Sequence, residues 1–129
     1  GGTMKFSASL KEEKTGLENA TWRWQSSENS KGNKLTVDKP ENYWIEFRRG
    51  GELGMKADCN GGGGNFEASG NNLKISSLIS TQMFCGERSN DKRFTRGLEN
   101  AHSFSVEGNT LTIKSGNDTM KFFRVSRQN

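Results

Sequence analysis

With 129 residues the chain has room for one domain and not for two of ordinary size. Hydrophobic residues make up 29% and charged residues 26%, yet the net charge is only +4, too little self-repulsion to hold a chain open, so a thin core and not disorder is expected. No stretch approaches the roughly 20 apolar residues of a membrane-crossing helix, and Lys and Arg interleave with Asp and Glu, which favours a solvated surface over an anionic partner such as nucleic acid.

In chain order, Gly1-Gly2-Thr3 reads as an expression remnant, so any signal peptide or lipid anchor is expected to have been cut away unseen. Residues 1–16 form a polar, flexible arm, with a short strand possible at 6–10, and one domain occupies 17–129. Trp22 and Trp24 share one face of a strand, Arg23 and Gln25 the other. A polar loop at 26–34 leads to a short bridge at 35–37. Tyr43, Ile45 and Phe47 alternate with Trp44, Glu46 and Arg48, and Gly50-Gly51 turns the chain into a return strand whose Leu53, Met55, Ala57 and Cys59 share a face.

Asn60 with the four glycines 61–64 predicts another turn, followed by strands around Phe66 and around Leu73 and Ile75. Residues 76–88 read as one long irregular connection. A helix of about three turns follows, capped by Ser89 or Asn90, with Phe94, Leu98 and Ala101 as its apolar stripe and Gly97 against it. Two or three hairpin strands close the chain at 103–107, 111–114 and 120–125. Sixteen Gly and thirteen Asn against a single Pro suit such a succession of tight turns. The fold class is therefore α+β, a strongly curved, barrel-like antiparallel sheet of about eight strands packed with one helix.

The chemistry-bearing residues are sparse. Two cysteines, Cys59 and Cys85, in a small Gly- and Asn-rich domain predict a disulfide and an exported protein; the alternative is two buried thiols in a cytosolic one. His102 is the sole histidine, and a Cys–His nucleophile pair is the weakest of the readings. One His and two Cys cannot complete a tetrahedral metal set, and the glycine run lacks the Lys-Ser/Thr of a phosphate cradle, so neither metal nor cofactor is expected. Arg88, Lys92, Arg93 and Arg96 gather about the helix start, either as a site for an anionic partner or as a solvated face balanced by Glu87, Asp91 and Glu99. Trp44 lies on the opposite strand face from Tyr43 and Ile45, and Phe122 and Phe123 are adjacent, so a one-sided sheet exposes a ring unless the N-terminal arm covers it.

Trp22, the run Tyr43-Trp44-Ile45-Glu46-Phe47, Cys59-Asn60 with its glycines and Phe66, then Thr81-Gln82-Met83-Phe84-Cys85, Phe94, Leu98, Ala101, Phe104, Leu111 and Ile113 occur in an order that resembles the META (HslJ-like) domain family over residues 17–125. Two features depart from its pattern: four glycines lengthen the turn after Asn60, and Phe84 stands where a small residue is common. The resemblance implies a curved, barrel-like sheet and a bacterial envelope setting, often as a lipoprotein, with links to stress and no established catalysis. The expectation is a non-enzymatic periplasmic or outer-membrane-associated monomer, touching the membrane only through a removed anchor, that binds a protein or apolar ligand through Trp44 and Arg48. The alternative is an inhibitor or accessory module that recognises an anionic partner through Lys92, Arg93 and Arg96.

Overall fold

The computed structural model describes residues 16–18 and 20–125; the arm expected at 1–16 lies, but for Gly16, outside them. Nine strands and one α-helix are found among the described residues: β1 Thr21–Asn29, β2 Lys34–Thr36, β3 Tyr43–Arg48, β4 Glu52–Ala57, β5 Asn60–Ser69, β6 Asn72–Ser80, α1 Asp91–Glu99, β7 Ala101–Glu107, β8 Thr110–Ser115 and β9 Asp118–Val125. All pair antiparallel, mostly as sequential hairpins, and β1 also pairs with β9, which closes eight strands into a barrel with β2 as an extra strand on β1. One edge of β1 is shared: residues 21–23 pair with β3 and residues 26–28 with β2. The changeover falls at an irregularity between Trp24 and Ser26, where a bulge lets one strand serve two neighbours.

Alternation decides what faces in. Trp22, Trp24, Ile45, Phe47, Leu111, Ile113 and Phe122 are each at most 1% exposed. They fill the barrel with their own side chains, as the interior of a small barrel must be filled. The helix spans the connection between β6 and β7, which pair only at Asn72 and Ser103, and its buried residues are Phe94 and Leu98. Phe94 lies 5.0 Å from the Trp24 ring, 5.7 Å from Tyr43 and 6.2 Å from Phe122. Phe94 and Leu98 are the helix's buried anchors, as expected, and the rings nearest Phe94 are those of Trp24, Tyr43 and Phe122. A Cβ on Gly97 would stand 2.7 Å from Met120 Sδ, the flexible end of a side chain that can shift to accommodate it. Leu17, fully buried, accepts a 3.0 Å bond from Trp22 Nε1 at its carbonyl.

Four local expectations change. Residues 26–29 continue β1 instead of forming a loop, and Ser26 and Ser27 are buried because the Ser26 carbonyl and Ser27 Oγ accept Trp24 Nε1. Ala101 belongs to β7, so the helix is nine residues long. Residues 76–80 extend β6, with Ser77 in the left-handed region (φ 53°) at a bulge. The glycine run is a strand and not a turn: residues 61–64 lie inside β5 between β4 and β6. A Cβ on Gly62 would collide with the Ile79 carbonyl, one on Gly63 would stand 2.6 Å from the Leu53 carbonyl oxygen, and one on Gly64 2.8 Å from that of Ser76. Glycine was read as a turn signal, whereas here it marks backbone crowding.

Candidate functional site

The β4–β5 hairpin turns at Asp58, whose φ of 62° sets Cys59 at the corner and Asn60 at the start of β5. Cys59 is bonded to Cys85 with their Cα atoms 5.6 Å apart, as expected. Cys59 is exposed, contrary to its expected place on the inner face with Ala57, because the turn ends the alternation before it.

Asn60, only 3% exposed, explains the spacing of the second motif. Its Oδ1 accepts Thr81 Oγ1 and the Met83 backbone N–H, each at 2.7 Å. Its Nδ2 donates to the Met83 carbonyl at 3.0 Å and to Asp91 Oδ2 at 3.1 Å. One buried amide thus ties the loop 81–90 and the first residue of the helix to the barrel. Every other residue of Thr-x-Met-x-Cys meets it because an extended chain presents alternate residues to one side. Phe84 is 81% exposed, so its bulk leaves the packing around Cys85 unaltered. The helix start uses Ser89 and not Asn90: Ser89 Oγ accepts the Asp91 N–H at 3.2 Å, while Asn90 makes no side-chain cap.

The predicted binding residues divide among three places. Trp44 is half-buried on the outer wall. Arg23 stands directly across from it on β1, and Phe123 stands across from Arg23 on β9. Arg23 and Phe123 are half-buried too, and Arg23 Nε is buried without a hydrogen-bond partner. Arg48 does not join this row. It pairs with Glu46 at 3.0 Å, and its guanidinium covers Gly54, where an added Cβ would stand 2.8 Å from Cζ. Arg23 is therefore Trp44's cationic neighbour, a relation that strand pairing alone reveals. Lys92, Arg93 and Arg96 are exposed on α1. Lys92 and Arg96 border a cleft of about 260 Å³, but Asp91 and Glu99 line it as well, so its charge is mixed. His102 lies on β7, its Nε2 3.5 Å from the Gly116 carbonyl.

A closed antiparallel barrel with a buried Asn joining the two cysteine segments fits the pattern seen in the sequence, and the META domain family matches residues 15–127. The chain belongs to the META domain family. Solved structures show the same fold at low identity. A protein from Burkholderia xenovorans is 15% identical with a TM-score of 0.75, covering 98% of this chain and 94% of that one. A DUF4847 family protein from Bacteroides vulgatus is 16% identical with a TM-score of 0.65, over 92% of this chain and 99% of that one. A lipocalin-like protein from Bacteroides uniformis is 16% identical with a TM-score of 0.58, over 84% and 98%. No curated protein matches the sequence. The META domain's disulfide fits an oxidising, extracytoplasmic compartment, and among the described residues no helix is long and apolar enough to cross a membrane.

Proposed function

We propose that this META domain is a non-catalytic, stress-related binding module of the bacterial envelope, periplasmic or outer-membrane-associated. It captures a protein partner on its outer wall through Trp44, Arg23 and Phe123. The observation that carries the reading is the cross-strand row itself: two half-buried outward rings flank a guanidinium whose Nε has no partner. Trp and Arg are among the residue types most enriched at binding hot spots, and the row sets both, with a second ring, on one outer strand face. The interior offers less to a ligand, since Trp22, Trp24, Phe47, Phe94 and Phe122 already occupy it. With Cys59 and Cys85 bonded to each other, the oxidised domain has no free thiol to pair with His102 as a Cys–His nucleophile.

The test places a photo-crosslinking amino acid at position 110, exposed on β8 directly across from Phe123, in cells of the native host. It compares the domain with Trp44 intact against Trp44→Ala, Phe123→Ala and Phe47→Ala. A single crosslinked protein, lost in the first two variants while their folding persists, is the expected result, with Phe47→Ala unfolding the domain. Unfolding by Trp44→Ala to the same degree refutes the wall as a site. Binding that survives Trp44→Ala but weakens steeply with salt transfers the role to Lys92, Arg93 and Arg96.

A further inference from the structure

The two sulfurs of the disulfide are not equivalent. Cys59 is exposed at the hairpin corner and Cys85 is half-buried. The Cys59 backbone N–H is aimed at Cys85 Sγ at 3.2 Å, and Asn60 Nδ2 stands 3.3 Å from the same sulfur, its two hydrogens shared among it, the Met83 carbonyl and Asp91 Oδ2. Toward a neutral disulfide sulfur such bonds are weak. Toward a thiolate they become charge-assisted and much stronger. The donors therefore favour negative charge on Cys85, which is the charge that develops when Cys85 is the leaving group of thiol–disulfide exchange.

We propose that the Cys59–Cys85 bond is a directional thiol-exchange site that captures an incoming thiol on Cys59. The thiolate of a low-molecular-weight thiol attacks Cys59 Sγ. A bond forms between the two sulfurs, the Cys59–Cys85 bond breaks, and its electron pair leaves with Cys85 as a thiolate held by the two N–H groups. The incoming sulfur is oxidised, Cys85 is reduced, and no further oxidant is required. Attack by the Cys85 thiolate on the mixed disulfide reverses the step.

The fold can host this reaction without opening. Asn60 holds Thr81, Met83 and Asp91 by bonds that do not depend on the disulfide, so the loop carrying Cys85 stays in place when the crosslink breaks. The attacking thiolate must approach Cys59 Sγ from the side opposite Cys85, and Cys59 is exposed at the hairpin corner. On the other side a cleft of about 500 Å³, lined by Cys85, Lys39 and Arg88 along with Asp38, Asp58 and Glu87, borders the leaving sulfur.

The oxidised, folded protein is incubated with reduced glutathione, quenched in acid and mapped by mass spectrometry of non-reduced peptides. Glutathione on Cys59 with Cys85 as the free thiol should exceed the reverse adduct at least tenfold. Equal amounts, the reverse preference, or no adduct short of denaturation overturn the proposal. A second measurement follows iodoacetamide alkylation against pH in Cys59→Ser and in Cys85→Ser. The thiol of Cys85 should ionise at lower pH than that of Cys59, and coincident profiles likewise overturn it. The Cys59→Ser variant keeps the backbone N–H at position 59 and Asn60, so the donors under test remain.

Discussion

Replacing Asn60 by Ala removes the side chain that joins the cysteine loop, the helix start and the barrel. Its bond to the Asp91 carboxylate is to a charged group, and such bonds contribute about 1.5–3 kcal/mol, against about 1 kcal/mol for each of the two bonds accepted by Oδ1 and for the one donated to the Met83 carbonyl. The simple total is about 5 kcal/mol, but Thr81 and Met83 are exposed and water can take over part of their bonding. A net loss of about 3 kcal/mol is expected, equivalent to a fall in Tm of about 10 °C for a domain of this size. Urea unfolding of the oxidised protein, with an unchanged denaturant slope, measures it. Asn60→Asp separates the two halves of the amide: it keeps the acceptors but sets an oxygen where Nδ2 faces Asp91, so it should lose at least as much as Ala. A loss below about 1 kcal/mol in both variants would show that the loop and helix are held without Asn60, and the account of the motif spacing would be wrong.

Phe94→Ala should cost about 3–5 kcal/mol, the range for a buried aromatic, because Phe94 is fully buried against three rings; chemical denaturation showing less than about 1 kcal/mol would contradict the packing. Gly62→Ala should destabilise far more than Gly61→Ala, since the first meets the Ile79 backbone and the second finds its nearest neighbour at 3.9 Å; equal melting temperatures would contradict the crowding at β5. The mature protein should show no alkylatable thiol when denatured without reductant. Reduction should then lower stability by about 3.5 kcal/mol, from chain entropy for the loop closed across a sequence separation of 26; calorimetry with and without reductant reads the difference.

Period-two alternation was enough to determine which faces of β1, β3 and β4 turn inward, because burial of Trp22, Trp24, Tyr43, Ile45 and Phe47 on one side leaves polar partners for the other. The same logic placed Trp44 outside, and the i, i+4 spacing of Phe94 and Leu98 found the buried side of the helix. Cysteine content pointed to the crosslink. Local sequence could not say which strands meet, since pairing is a relation between distant segments. The pairing of β1 with β9 closes the barrel and carries Arg23 to a place between Trp44 and Phe123, where Arg48 had been expected. The glycines at 62–64 carry a turn composition, yet backbone carbonyls of β4 and β6 crowd them from either side and make them strand. Asn60 looks in sequence like one more turn residue. Its hydrogen-bond partners lie in four residues, Thr81, Met83, Cys85 and Asp91, all 21 or more positions away, so only tertiary structure, which brings them to one buried amide, could give it its role.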